Sequence, residues 1–368
     1  MILKYSVGLD VSSKDLKANL CTIDEQQAIK VRASGTFLNT IDGFFKLQLW
    51  IAKHHKEQER PLSVCMEATG IYHEQCAYTL YGAGFRVYVI LPTKAKRYMQ
   101  SLGLKSKNDS IDARGLAQMG AEQQLTAWEP VGTFFYELRS LTRQHQDATE
   151  QSTVVKNKLH AEMRSHHVNK LVVRQLKAAI KFFEKQKQEV ELAIANHIKK
   201  DAEVLRKINN ICKIKGLAVL SVATVLAESG GFLLFKNRPQ VVSYAGYDVV
   251  ENQSGKHKGK TRISKRGNSR IRRILFMPAF SAVKYKEPVC LELFERTLER
   301  HGMKMKSYVA VQKKLLLLIY DLYTKDVAYN PQHYKTLQNG NKETQENTII
   351  KKDIQEKELV LSSGEQSI

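Results

Sequence analysis

The stretch Lys4-Tyr5-Ser6-Val7-Gly8-Leu9-Asp10-Val11 alternates apolar side chains with small or polar ones, a pattern typical of a β-strand with one buried face. A short polar turn leads to a second strand-like run at 16–23. Another polar turn leads to a third run at 29–34. Short turns between successive strands favour an antiparallel meander. The start of the chain therefore predicts the antiparallel half of a β-sheet.

The chain then alternates helical and strand patterns as far as residue 122. The predicted elements are a helix at 40–55, a strand at 62–66, a helix at 72–83, a strand at 86–91 that Pro92 stops, and helices at 93–101 and 110–122. The order β-β-β-α-β-α-β-α-α predicts a mixed sheet covered by helices, because strands joined through helices run parallel. It matches the ribonuclease-H-like (RuvC-like) α/β fold, which we assign to residues 1–130.

The rest of the chain predicts two helical regions and a polar tail. Residues 131–208 predict two long antiparallel helices that turn near 166–169, a helical hairpin or coiled coil. Such an arm could be a plain spacer, an oligomerisation contact or a support for nucleic acid. Residues 209–330 predict a mainly helical second globular domain, in which 211–231 resemble a helix-hairpin-helix that offers backbone N–H groups to phosphates. Residues 331–368 are polar and predict a disordered tail.

The composition is strongly basic. The 368 residues include 58 Lys and Arg against 37 Asp and Glu, a formal net charge of +21. A protein this basic most often binds a polyanion, and nucleic acid is the first expectation. The segment from Ser254 to Arg273 is rich in Lys and Arg and contains no acid. We expect these residues of the segment to bind nucleic acid: Lys256, Lys258, Lys260, Arg262, Ser264, Lys265, Arg266, Asn268, Arg270, Arg272 and Arg273.

Other classes of protein are disfavoured. The chain has no run of about 18 apolar residues and its start lacks the features of a signal peptide, which predicts a cytoplasmic protein with no membrane partner. Its five cysteines are scattered and never form a Cys-x-x-Cys pair. The adjacent histidine pairs at 54–55 and 166–167 lack partners at metal-ligand spacing. These patterns argue against a disulfide framework and against structural zinc.

Two acids stand three residues apart in Lys107-Asn108-Asp109-Ser110-Ile111-Asp112-Ala113-Arg114, where the last helix of the first domain begins. At that spacing both carboxylates leave the same helical face. In one interpretation Asp109 caps the helix and Asp112 lies in its first turn, where the macrodipole favours acids. In the other, the pair meets a cation, usually a divalent metal. The choice depends on whether further acids converge there.

Two further acids are predicted at the same place. Asp10 stands on an otherwise apolar strand, and Glu67 lies at the end of the fourth strand. Because the first and fourth strands are neighbours in a sheet of this order, Asp10 and Glu67 approach each other beneath the helix that begins near Asp109. Four acids in one place suit two Mg²⁺ or Mn²⁺ ions and in-line attack at phosphate. We therefore expect these side chains to be catalytic metal ligands: Asp10, Glu67, Asp109 and Asp112.

The acidic motifs resemble those of one family. They are Gly8-Leu9-Asp10-Val11-Ser12, Met66-Glu67-Ala68-Thr69-Gly70 and Asn108-Asp109-Ser110-Ile111-Asp112-Ala113. They resemble the DEDD-type transposases of bridge-RNA-guided insertion sequences, the insertion sequence one-ten family, which is related to the Piv-type DNA invertases. The resemblance continues through Ser243-Tyr244-Ala245-Gly246-Tyr247, Ser254-Gly255 and Ile263-Ser264-Lys265-Arg266-Gly267-Asn268, and covers about residues 3–325.

The resemblance implies a composite active site in a bacterial or archaeal, nucleoid-associated protein. The DEDD acids would hold metal, and the serine of the family's Ser-Gly motif, Ser254 here, would be the nucleophile. Ser254 would attack phosphorus to leave a phosphoserine link, and a guide RNA would select the target by base pairing. Ser264 is the local alternative nucleophile, but it opens a basic run and we expect it to contact phosphate. The glycine after Ser254 permits close approach to DNA.

The resemblance is incomplete, and other functions stay open. Asn108, Val249 and Gln253 stand where the family more often has Thr, Pro and Ser. The alternatives are an RNA-independent invertase of the same family, a junction-resolving endonuclease whose acids activate water, and a non-catalytic nucleic-acid binder. For a transposase we expect donor and target DNA as substrates. We also expect a homodimer or homotetramer, with the long helices as the contact between protomers.

Overall fold

The computed structural model describes residues 1–331 apart from 69, 104–107, 252, 255–256 and 260, and it describes only the backbone at 253–254 and 257–258. The chain divides into two compact units, Met1–Pro130 and Val131–Ile368. The finer division into an arm, a C-terminal domain and a tail stays a prediction, and the tail at 332–368 lies outside the described residues.

The first unit is built on a five-stranded mixed sheet. Its strands are β1 (Ile2–Val11), β2 (Asp15–Asp24), β3 (Ile29–Leu38), β4 (Leu62–Glu67) and β5 (Arg86–Ile90). They lie in the order β3-β2-β1-β4-β5. The first three strands pair antiparallel, whereas β4 pairs parallel with both β1 and β5. The predicted mixed sheet of ribonuclease-H-like order is confirmed, with β1 at its centre.

Helices cover both faces of this sheet. They are α1 (Ile41–His54), α2 (Glu74–Gly82), α3 (Pro92–Ser101) and α4 (Asp109–Glu122). One face packs on α1 and α2 through a core that includes Val7, Leu9 and Phe44. The other face packs on α3 and α4 through a core that includes Tyr88 and Leu116. Two apolar layers are therefore buried against a single sheet.

The helix α4 lies directly on the central strands. A Cβ atom added at Gly8 would lie 2.1 Å from the carbonyl oxygen of Ala113 and 2.2 Å from the amide nitrogen of Ala117. One at Gly120 would lie 2.3 Å from the Oγ of Ser6. The helix thus runs antiparallel to β1, and its start lies toward the carboxyl end of that strand. Only glycine permits so close an approach.

The second unit is mainly helical. Its helices are α5 (Thr133–Glu162), α6 (Lys170–Ile198), α7 (Ala202–Ile211), α8 (Val219–Ser229), a 3₁₀ turn (Gly230–Phe232), α9 (Arg238–Tyr244), α10 (Ser269–Ile274), α11 (Phe276–Lys284), α12 (Pro288–His301) and α13 (Lys304–Lys325). Four two-residue strands lie between α9 and α10: β6 (Val249–Val250), β7 (Gln253–Ser254), β8 (His257–Lys258) and β9 (Arg262–Ile263). Helices α5 and α6 pack along each other as the predicted hairpin. A coiled coil is not established.

The predicted helix-hairpin-helix is not confirmed as a phosphate site. Helices α7 and α8 are joined through a turn at Gly216, as the sequence indicated. The backbone N–H of Lys215 in that turn donates to the buried carboxylate of Glu287 at 2.8 Å, and the N–H of Leu217 donates to the carbonyl oxygen of Ile214. Both backbone N–H groups therefore already have acceptors within the unit.

The apolar run at 315–320 lies in the middle of α13. Leu315, Leu316, Leu318 and Ile319 are buried in the core of the second unit. The run is therefore a buried helical segment. Among the described helices, none combines the length and the apolar character that a membrane crossing requires.

Candidate active site and nucleic-acid interface

Asp10 and Glu67 lie side by side at the carboxyl ends of neighbouring parallel strands. Leu9 of β1 is the register partner of Met66 of β4, and each acid is the next residue along its strand. Side chains alternate between the faces of a sheet, so both acids belong to the face that carries Gly8, which is the α4 face. Both residues are half-buried.

The first turn of α4 brings the second pair of acids. Asn108 caps this helix, since its side-chain oxygen accepts a hydrogen bond from the N–H of Ile111 at 2.8 Å. The interpretation of Asp109 as the cap is therefore wrong, because that position is taken by Asn108. Asp109 is exposed and Asp112 is half-buried.

The donor chemistry of this sheet edge fits a divalent ion, because Mg²⁺ and Mn²⁺ prefer carboxylate oxygens. Within the part of the chain that the structure describes, however, no three acidic, histidine or cysteine side chains lie close enough to hold one ion together. The topology thus brings the acids to one edge, and a shared ion requires their side chains to turn toward each other.

Other side chains at this edge were not singled out from the sequence. Lys17 is the register partner of Asp10 on β2, and its ammonium lies 3.2 Å from the carboxylate of Asp15. Ile71 and Leu91, which follow the ends of β4 and β5, are 72% and 67% exposed. Leu91 directly follows its strand, and Ile71 stands four residues after the end of β4. The edge therefore combines acids with exposed apolar side chains.

In the second unit the motifs at 243–247 and 263–268 are joined by close backbone contacts, and we call them the locked motifs. A Cβ atom at Gly267 would lie 2.4 Å from the carbonyl oxygen of Tyr244 and 2.7 Å from the amide nitrogen of Gly246. The N–H of Lys265 donates to the carbonyl oxygen of Gly246 at 3.1 Å, and the N–H of Asn268 donates to that of Tyr244 at 2.7 Å. These contacts explain why glycines are needed in both motifs.

Glu228, near the end of α8, is the buried charge that holds this arrangement. Its carboxylate accepts two hydrogen bonds from Arg143 of α5, at 2.7 and 2.9 Å, and one from Asn268 at 2.7 Å. Its carbonyl oxygen accepts a hydrogen bond from the hydroxyl of Tyr244. Burial alone raises the pKa of this carboxyl, but the hydrogen bonds from Arg143 and Asn268 and the nearby charge of Arg270 leave the Glu228 pKa below its usual value. Sequence patterns missed Glu228 because a single acid on an apolar helix carries no spacing signal.

Several predicted nucleic-acid ligands are engaged inside the unit. The hydroxyl of Ser264 donates to the carboxylate of Asp248 at 2.6 Å. The Asn268 side chain also caps α10. The arginines contact groups of this same unit: Arg270 contacts Gln146 and Asp147, Arg272 contacts the carbonyl oxygens of Ala245 and Gly267, and Arg273 contacts Glu150. Contact of these residues with phosphate stays a prediction.

The other predicted ligands lie at the exposed end of the locked motifs or outside the described part. Arg262, Lys265 and Arg266 are exposed, and Lys265 has a left-handed backbone with φ of 54°. Lys256 and Lys260 lie outside the described residues, and Lys258 is described by its backbone alone. Ser254 is likewise described by its backbone, as the register partner of His257 across the β7–β8 hairpin. The tip at 265–266 is therefore the clearest exposed basic feature of this segment.

Comparisons with known families agree with these motifs. A family model described as Transposase, for DEDD transposases of IS110 elements, matches residues 7–168. A second, described as Transposase IS116/IS110/IS902 family, matches residues 208–295. The two matches together cover more than half of the chain and include both the acidic motifs and the glycine-locked ones. The chain belongs to the IS110 transposase family.

Relatives of this transposase include two inverting proteins. The "Pilin gene-inverting protein" of Moraxella lacunata and that of Moraxella bovis are each 26% identical over 319 residues, which is 86% of this chain and 95% of theirs. A "Probable family 20 transposase" of Pseudomonas aeruginosa is 23% identical over 44% of this chain and 47% of its own. Its family membership makes the protein a DNA transposase or recombinase, and DNA is its substrate.

Among solved structures, RuvC of Thermus thermophilus is similar at 15% identity and a TM-score of 0.26, over 34% of this chain and 99% of that chain. A likeness this weak carries no argument about the transposase. The assignment of the first unit to the ribonuclease-H-like fold depends instead on its own strand order and directions.

Proposed function

We propose that this transposase cuts and rejoins DNA through a phosphoserine intermediate, with Asp10, Glu67, Asp109 and Asp112 as metal ligands and Ser254 as the nucleophile. The observation that supports the proposal is the pairing of Leu9 with Met66 beneath α4, since it makes Asp10 and Glu67 neighbours on the face of the sheet that α4 covers. A divalent ion held there, Mg²⁺ or Mn²⁺ and by the family's pattern two of them, would polarise the scissile phosphate.

The chemistry of the chain's own residues follows from the nucleophile. The oxygen of Ser254 forms a bond to phosphorus as the bond from phosphorus to the 3′-oxygen breaks, and the serine proton is transferred so that the 3′-end leaves as a hydroxyl. Because the phosphodiester energy is kept in the serine ester, attack by another 3′-hydroxyl rejoins strands without hydrolysis. Arg262, Lys265 and Arg266 would neutralise phosphates beside it.

Partners of the transposase are also proposed. Base pairing to a guide RNA would select the target, with the protein contacting backbone and shape. At least two protomers would act together, because the free 3′-ends must be held until they are exchanged. The long α5–α6 hairpin suits the contact between protomers, as a dimer or tetramer.

A second candidate is inversion of a DNA segment without a guide RNA. The observation that favours it is the similarity to the Moraxella inverting proteins along 86% of this chain. Both candidates use the same acids and serine. Purification of the transposase followed by sequencing of any bound RNA separates them, because a single defined small RNA is expected only for guided targeting.

Replacement of the proposed nucleophile tests the mechanism. We expect Ser254→Ala to lower recombination by about 10³-fold or more and to abolish protein–DNA adducts that resist denaturation. Ser264→Ala is the matched control, because the Ser264 hydroxyl is hydrogen-bonded to Asp248. This variant should still form adducts. Adducts that survive in the Ser254→Ala variant would exclude this nucleophile.

Two outcomes support the rival functions. Efficient strand cleavage without any adduct would indicate a nuclease whose acids activate water. Full biological activity of an Asp109→Asn variant would indicate that the acids are structural and that the protein only binds nucleic acid.

A further inference from the structure

The α6 helix carries a row of cations on one face. The row consists of Lys170, Arg174, Lys177 and Lys181, at spacings of four, three and four residues. At 100° per residue they fall within an arc of about 60°, and at 1.5 Å per residue they span about 16 Å of the helix. All four are exposed, and we call them the α6 cationic row.

The helix itself gains nothing from this arrangement. Like charges three and four residues apart repel each other along a helix. The row also begins at the first residue of α6, where the helix macrodipole disfavours positive charge, and the first turn holds no acid. Within the described part of the chain, none of the four takes part in an ion pair. The row therefore costs stability in the isolated protein.

Other lysines of the α5–α6 hairpin form ion pairs within the protein. Lys156 of α5 and Lys187 of α6 both bond to the carboxylate of Glu184, at 2.7 and 3.4 Å. Lys185 lies 3.7 Å from Glu189 on the next turn. Lys156, Lys185 and Lys187 are thus paired within the protein, whereas the α6 cationic row is left for an external anion.

The row faces away from the packing surface of the hairpin. Leu176, Ile180 and Phe183 are partly buried, and at 100° per residue they lie about 90–150° around α6 from the row. We assign this partly buried side to the contact between α6 and α5. A shallow groove of about 400 Å³ follows the row and is lined by Val168, Lys170, Val173, Arg174 and Lys177. A linear polyanion can therefore lie along the helix with several charges in reach at once.

We infer that the α6 cationic row binds the backbone of double-stranded DNA outside the cleaved position. Successive cations are about 4.5–6 Å apart along the helix axis. A duplex carries one phosphate per about 3.4 Å of its axis on each strand, so a row of this length lies within reach of several phosphates at once. Duplex DNA is the polyanion that a transposase of this family must hold. The inference depends on the proposed function only in that the protein acts on DNA.

The test compares two double variants of the full chain. R174Q/K177Q removes two charges of the row, and K156Q/K187Q removes two paired charges from the same hairpin. Gln keeps good helix propensity, and circular dichroism verifies that both variants fold. The dissociation constant for a DNA duplex is measured over a series of salt concentrations, together with strand cleavage at saturating DNA.

For R174Q/K177Q we expect the slope of log affinity against log salt to fall in magnitude by about 2, and affinity at 0.1 M salt to fall by about 10- to 100-fold. K156Q/K187Q should keep the wild-type slope. Cleavage at saturating DNA should persist in both, because neither variant touches the acids or Ser254. An unchanged slope for R174Q/K177Q overturns the inference while the proposed function stands, whereas a wild-type protein that fails to cleave DNA in the presence of any RNA that copurifies with it overturns the proposed function.

Two further outcomes would also overturn it. The same experiment with an RNA duplex of equal sequence distinguishes the polyanions, since a loss confined to RNA would make the row an RNA site. Light scattering measures the mass of each variant, and a change of oligomeric state without a change of slope would make the row a contact between protomers.

Discussion

At the scale of single residues, Glu228 is the most consequential side chain of the second unit. It joins α8, α5 and the loop before α10 through Arg143 and Asn268. A buried carboxylate is stable only when its charge is matched, and here a bidentate arginine and an amide provide the match. The same loop carries Lys265 and Arg266 at its exposed end. Glu228 thus holds in place the loop whose exposed side chains are the proposed phosphate contacts.

Replacement of this carboxylate has a pH-dependent effect. We expect Glu228→Gln to lower the free energy of unfolding by about 1.5–3 kcal/mol at pH 7, because charged hydrogen bonds are lost. A lowered folded-state pKa means that the contribution of Glu228 is present above the usual glutamate pKa and is lost as pH falls through the folded value. The difference between variant and wild type should therefore shrink in acid.

Denaturant unfolding between pH 7 and pH 3 measures this difference. Glu203→Gln is the control, since Glu203 pairs with Lys207 but its own side chain is 66% exposed. That change should cost no more than about 0.5 kcal/mol. A Glu228→Gln variant as stable as wild type at pH 7 would contradict the structural role.

At the scale of elements, the contact between β1 and α4 determines the geometry of the acidic edge. The strand presents Gly8 to the helix backbone, and the helix presents Gly120 to Ser6. Because backbone meets backbone, the helix lies at a fixed height above the sheet. Asp10 and Asp109 belong to these two elements, so their separation depends on that height.

A methyl group at Gly8 should lift the helix. We expect Gly8→Ala to lower the free energy of unfolding by about 1–3 kcal/mol or more, because the added carbon would overlap the backbone of Ala113 and Ala117. Strand cleavage should fall further than stability alone explains, as measured on protein that is still folded. Gly82→Ala at the end of α2 is the control, since nothing lies within 4 Å of its added Cβ, and it should be neutral or slightly stabilising. Equal behaviour of the two variants would argue against the described packing.

At the scale of the whole molecule, the net charge of +21 and the acidic edge have separable roles. Positive charge attracts DNA over long range and is screened by salt. The carboxylates repel the same backbone unless a cation offsets them. Binding and cleavage should therefore respond differently to removal of divalent ions.

Chelation of divalent ions tests whether DNA binding and strand cleavage can be separated. With EDTA present, we expect strand cleavage to be lost and salt-dependent DNA binding to be retained, because binding depends on Lys and Arg side chains. Added Mg²⁺ or Mn²⁺ should restore cleavage in wild type but not in Asp109→Asn, which serves as the control. Gel-shift and cleavage assays on one labelled duplex read both properties. Cleavage that persists in EDTA would contradict the proposed metal site.

Much of the first unit could be predicted from local patterns. The two-residue period of β1 to β3, the helical period of α1 and the stop at Pro92 are properties of neighbouring residues. Since strands joined by short turns pair antiparallel and those joined through helices pair parallel, these patterns predict a mixed sheet. The ribonuclease-H-like order makes β1 and β4 neighbours, and the structure has them so. Asp10 and Glu67 could be named as candidates because of that strand order, and Asp109 and Asp112 because the predicted helix begins beside them.

The sequence by itself therefore determined the elements of the first unit, the neighbouring positions of β1 and β4, and the identity of the acidic candidates. These depend on local periodicity, connection length and motif. Only the tertiary structure decided that Lys215 donates to Glu287, and that Ser264 and Asn268 are hydrogen-bonded within the second unit. Arg143 and Glu228 are 85 residues apart along the chain. No local period links such residues, because a buried charge finds its partner through the packing of whole helices rather than through its neighbours in sequence.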